Sequence, residues 1–197
     1  MPFGDDLLSE KMIGLKLERV SGKLLLSREE MAESLLMPKE TIIPPREEMR
    51  LAVCSLLHCS RVLVLDPEYF FSDMPLEVAE MAEPAEIAEK LKWAECDKVK
   101  ARVNALCMKK RLTLSSIGIP PSRFKKNEAT GFPGITIGRL LHISQELGTD
   151  PRKILFGDGF QPMPYPVTVA MLDLLKENVD LRKMIYAQMS EKPRGGR

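Results

Sequence analysis

The sequence predicts an all-α protein: two small helical domains of the helix-turn-helix kind, followed by a C-terminal helix. Three observations predict it. Apolar residues recur at helical spacing, as in Met49, Val53, Leu56 and Leu57 at i, i+4, i+7 and i+8. Period-two alternation is nearly absent; the Val62–Leu65 run is short enough for a helix end or one extended link. Proline and glycine divide the chain into pieces of helix length.

The pieces follow in order. Leu8 to Gly22 carries Leu8, Met12, Leu15, Leu17 and Val20, with Gly22 as its stop. In LSREEMAESLL, Ser27 is the N-cap and Glu30 completes a capping box. REEMRLAVCSLLH follows Pro44-Pro45. Pro67 to Pro75 is a turn-rich link holding Tyr69, Phe70 and Phe71, for which core packing is favoured over a contact site. LEVAEMAEPAEIAEKLKW is acidic, helical and interrupted by Pro84. ECDKVKARVNALCMKKR places Val99, Val103 and Leu106 on one face. A broken stretch leads to Pro120-Pro121, where a new helix is expected. ITIGRLLHISQELGTDPRKILFG ends its helix at Gly148 and opens a last turn at Asp150-Pro151. A final amphipathic helix, about Val167 to Ser190, is placed either to pair with a second copy or to pack on its own domain. The expected domains are 1–70, an acidic helical linker 71–96, 97–160, and the C-terminal segment 161–197.

Apolar residues form 44% of the chain and charged residues 29%, the balance of a globular protein. The longest apolar runs fall far short of the roughly 18–20 residues of a membrane span. MPFGDDLLSE is acidic where a secretory signal is basic, so a cytoplasmic location is expected. Cys54, Cys59, Cys96 and Cys107 form no C-x-x-C pair. A helix would place Cys54 and His58 on one face, with Cys59 beside them, but this falls short of a zinc site. The expectation is buried thiols, with no metal or other cofactor.

Charge is divided by region. Residues 1–97 carry 11 Lys/Arg against 20 Asp/Glu, a balance of −9, and residues 98–156 carry 12 against 3, a balance of +9. Such segregation points to a polyanionic partner for the second segment.

Residues 99–157 resemble the lambda-repressor-like (Cro/repressor, XRE) helix-turn-helix family. ITIGRLLHISQELGTDPRKILFG is similar to its fourth and fifth helices, KARVNALCMKKRLTL to its first helix and the start of its second. PPSRFKKNEATG stands where the family has its recognition helix. The segment between Thr113 and Pro120 is too short for the family's full second helix. Upstream, MIGLKLERVSGKLLLSREEMAE resembles the first two helices and REEMRLAVCSLLHCSRVLVLDP the fourth and fifth. Only SLLMPKETII stands between them, so the first half is expected to be a diverged copy without a reading helix.

The resemblance implies a transcriptional regulator binding double-stranded DNA as a homodimer, with the acidic first half expected to serve as a dimerisation or protein-partner module. In the helix expected from Pro121, Phe124 is the inward anchor. Arg123 is placed to read guanine and Asn127 adenine, with Ser122, Lys125 and Lys126 on bases or phosphates. Lys109, Lys110 and Arg111 either clamp phosphates or answer their own helix's C-terminal dipole. Thr113, Ser115 and Ser116 cap the short second helix or bind phosphate, capping being favoured. No enzyme motif is present: Gly131-Phe-Pro-Gly is a turn rather than a phosphate loop, and His142 sits on an apolar helix face. The rival expectation is a protein-interaction module, such as an antagonist of another regulator, using the acidic first half and lacking DNA binding.

Overall fold

The structure is a computed structural model that describes residues 10–37, 51–120 and 124–158. α1 (Glu10–Leu24) buries Ile13, Leu17 and Val20. Gly22, the expected stop, lies inside this helix. The chain turns instead at Leu25, whose φ is 54°, while Leu26 N–H reaches back to Ser21 O at 3.0 Å. That long backward bond closes a helix end and leaves the residue before it left-handed. α2 (Arg28–Ser34) opens on the expected capping box: Glu30 N–H donates to Ser27 Oγ (3.2 Å), and Ser27 N–H to Glu30 Oε2 (2.7 Å).

α3 (Val53–Leu63) ends on left-handed Val64 at φ 53°, so the Val62–Leu65 run is a helix end. The helix expected onward from Arg46 therefore starts, among the described residues, at Val53; Met49 lies outside them. A 3-10 turn, Pro67–Phe71, follows Asp66 and buries Tyr69, Phe70 and Phe71 to 1% exposure or less. α4 (Leu76–Ala79) and α5 (Pro84–Trp93) are separated as Pro84 requires, since proline fits the first turn of a helix. α6 (Cys96–Lys109) buries Val99 and Val103. α7 (Ile137–Leu147) ends on Gly148 at φ 53°, and α8 (Pro151–Phe156) begins on Asp150. Among the described residues the fold is all-α, with two isolated antiparallel bridges, Ala52 to Thr136 and Lys126 to Pro133. No described helix is long and apolar enough to cross a membrane.

Several local features of the first half recur in the second. Leu25 and Arg111, 86 positions apart, are both left-handed, and Leu112 N–H bonds Cys107 O (2.9 Å) as Leu26 bonds Ser21. Thr113 and Ser116 then exchange bonds as Ser27 and Glu30 do (2.9 and 3.1 Å). Downstream the spacing becomes 84. α3 and α7 have 11 residues each, starting at Val53 and Ile137. Asp66-Pro67 and Asp150-Pro151 come next, each Asp accepting the N–H two residues on (2.9 and 2.8 Å). One cation per half closes the unit: Lys16 donates to the carbonyls of Tyr69 and Ser72, Arg102 to those of Ile154 and Leu155.

The halves meet where α3 and α7 start. Val53 N–H donates to Ile135 O (2.8 Å) and Ile137 N–H to Leu51 O (2.9 Å), about the Ala52–Thr136 bridge. Leu51, Val53 and Ile135 are fully buried there and Ile137 nearly so. The core runs without a break from Ile13 to Phe156. The segment 71–96, expected as an acidic linker, gives Leu76, Ala79, Ile87, Leu91 and Ala94 to it. Lys90 fastens this segment further, its Nζ 2.5 Å from Asp66 and 2.7 Å from Glu68. Burial raises the Glu68 pKa, with Lys90 opposing the shift. The expected helix from Val167 to Ser190 lies outside the described residues.

Candidate nucleic-acid interface

The segment expected to hold the recognition helix is not helical where the structure describes it. Ser122 and Arg123 lie outside the described residues. From Phe124 to Thr136 the chain forms a narrow loop instead. Asn127 N–H bonds Phe132 O (2.8 Å), Gly134 N–H bonds Lys125 O (2.9 Å), and Lys126 faces Pro133 across the bridge. The physical reason is local. Asn127 Oδ1 accepts from Ala129 N, Thr130 N and Thr130 Oγ1, each at 3.1 Å, which folds the backbone into a side-chain-stabilised turn. Gly131 supplies φ 81° at its tip. Phe124 and Phe132, both buried, hold the two arms to the core. Phe124 is thus the expected inward anchor, but of a loop.

This rearranges the proposed base readers. The Asn127 carbonyl oxygen, half of what a bidentate contact with adenine uses, is already engaged three times. Lys125 and Lys126 are exposed on the loop arm. Lys126, with Lys100, lies near Cys96, whose pKa rises chiefly through burial and next through Asp97, these two lysines opposing. The loop therefore sits at the N-terminal end of α6, and Cys96 N–H donates to Gly131 O (3.1 Å).

Lys109, Lys110 and Arg111 stand at the other end of α6. A 14-residue helix is about 20 Å long, so the expected basic residues form two groups rather than one patch. Lys109 and Arg111 are exposed. Lys110 Nζ approaches the C-terminus of α7, lying 3.3 Å from where a Cβ on Gly148 would stand. A helix C-terminus carries partial negative charge, so Lys110 answers a dipole, though that of α7 and not its own. Thr113 caps the turn at Leu114–Gly118 with Ser116, while Ser115 is exposed. This turn is all that stands in place of a second helix in the second half. His142 Nε2 lies 3.0 Å from Ile117 O, tying α7 to that turn.

Some cations belong to the fold rather than to any surface. Arg102 is half-buried, bonded to the carbonyls of Trp93, Ile154 and Leu155, and burial lowers its pKa. Lys98 pairs with Glu95 (3.2 Å) and Arg152 with Asp150 (2.6 Å). Lys109, Arg111, Lys125 and Lys126 differ from these. Among the described residues no carboxylate lies within 4 Å of them. In the first half Lys23 meets Glu77 and Glu80, and Lys90 meets Asp66 and Glu68, while the exposed Arg19 and Arg28 likewise have no carboxylate within 4 Å among the described residues.

Arg61 carries no local signal in the sequence that marks it for a role. It projects from α3 to Thr130 O (3.3 Å) and stacks 4.5 Å from the Phe132 ring, holding the loop from the opposite half. Between the loop and the C-terminal end of α5 lies a groove of about 470 Å³, lined in part by Arg61, Lys92, Glu95, Asp97 and Lys126. Its charges are mixed. The four cysteines are buried and unpaired, and no cluster of metal-ligating groups occurs among the described residues. No family model, curated protein or solved structure matches the chain.

Proposed function

We propose that the protein is a DNA-binding transcriptional regulator whose second half grips the duplex backbone. The observation that carries this reading is a set of uncompensated cations within the basic segment. Lys109, Arg111, Lys125 and Lys126 are exposed without a carboxylate partner among the described residues, inside a segment of net charge +9. Free cations on a surface are what releases counterions from DNA phosphates. Contacts of that kind position a protein without reading sequence. With Asn127 engaged in its own turn, base reading falls to Ser122 and Arg123.

A second reading has an observation of its own in favour. The loop at Phe124–Thr136 stands where a recognition helix would lie, which suits a protein-interaction module that antagonises another regulator. Selection from a random duplex library by the full chain separates the two. Recovery of a shared motif supports the regulator; failure to retain any duplex at low salt removes it and leaves the interaction module.

A further inference from the structure

The junction between the halves is self-complementary. Exchanging Leu51–Val53 with Ile135–Ile137 reproduces the same two hydrogen bonds, 2.8 and 2.9 Å, about the Ala52–Thr136 bridge. Val53 and Ile137 are both the first residue of an 11-residue helix, at equivalent places in the repeat. That is the pattern of an isologous two-fold interface, here closed within one chain. Phe71 and Phe156, one from each half, also meet edge to face, with ring centroids 6.2 Å apart.

The paired halves differ in what they show to solvent. After α1 the first half places Leu24 and Leu25, 37% and 88% exposed. At the equivalent positions the second half places Lys110 and Arg111. The first half carries a net −9 up to residue 97, unfavourable beside phosphates.

We infer that the first half is the built-in partner of the second, so that a single chain occupies a single DNA half-site. Helix-turn-helix proteins ordinarily read paired half-sites with two chains. Here the second half is already paired, within the same chain, with the acidic first half. The DNA target is then short and lacks two-fold symmetry. The half-site portion rests on the DNA-binding reading; the internal pairing does not.

Sedimentation of the full chain, alone and with a random duplex library enriched on it, tests both portions. The expected results are a species of 22.2 kDa alone, one chain per duplex, and a motif without an inverted repeat. Two chains per duplex, or an inverted-repeat motif, overturns the inference. If no duplex is retained, the DNA-binding reading fails, and mass alone decides the pairing. In that case a 22.2 kDa species upholds the built-in partner and a species of twice that mass overturns it.

Discussion

Val53→Pro is a sharp perturbation of the junction, because proline suits the backbone there in every respect but one, although it also replaces a fully buried valine side chain. Val53 opens α3, where a helix accepts proline, and Ala52 before it already has φ −87° and ψ 145°, the region a pre-proline residue prefers. What disappears from the backbone is the N–H that donates to Ile135 O. Ile135 is fully buried, so its carbonyl would be left without that donor and without water. A buried group stranded in this way costs about 1–3 kcal/mol. For a chain of this size that lowers the melting temperature by roughly 2–12 °C. Arg28→Pro is the control: it also sits at the start of a helix, on an exposed residue whose side chain makes no junction contact. Ile137→Pro should match Val53→Pro, and the double substitution should depart from additivity by about 0.5–3 kcal/mol, as neighbours that share an interface do. Thermal unfolding followed by circular dichroism reads all four. If Val53→Pro and Arg28→Pro melt alike, the cross-half bonds contribute nothing and the reasoning fails.

Two further predictions concern the cations that close each half. Arg102→Ala removes the donor to Ile154, Leu155 and Trp93 carbonyls and should cost roughly 2–3 kcal/mol in urea unfolding; an unchanged midpoint contradicts that role. Lys16 has its pKa lowered to about 8, by burial first and by Arg152 and Arg19, against Asp73. With a folded pKa below the unfolded 10.5, the unfolded state binds more protons between those values. Stability therefore rises through that window on account of Lys16. Measured against Lys16→Met, the stability difference should move in favour of the natural chain from about pH 8 upward. A difference independent of pH would show that Lys16 titrates normally in the fold.

Local chemistry is what the sequence makes legible. The Ser27–Glu30 box, the break at Pro84, Gly148 as a helix end and Asp150-Pro151 as a helix start all depend on side chains within four residues of the backbone they fix. Buried thiols are legible for a similar reason, from apolar helix faces. From Phe124 onward the segment expected to be a recognition helix is not helical, because turn chemistry outweighs the helical residue types around it. Asn127, Gly131 and Pro133-Gly134 are the signal for a turn, and the burial of both Phe124 and Phe132 makes a loop the better solution. The acids of segment 71–96 suggest a linker, whereas Leu76, Ala79, Ile87 and Leu91 decide where it packs. Neither Arg61 on Phe132 nor the pairing of Val53 with Ile135 leaves a local trace. The Asp-Pro steps 84 residues apart, with the upstream echo of the helix-turn-helix pattern, hint only at equivalent positions in the two halves, not at their pairing.

The claim that the second half grips DNA phosphates is tested most directly by the salt dependence of binding to one duplex. Log affinity against log salt should fall steeply for the full chain. Replacing Lys109, Arg111, Lys125 and Lys126 by alanine should make the slope shallower by about 0.9 for each phosphate no longer neutralised. Lys110→Ala, whose charge faces the end of α7, should change the slope least. A slope that the fourfold variant leaves unchanged, or affinity indifferent to salt from the outset, would contradict phosphate contact by these residues.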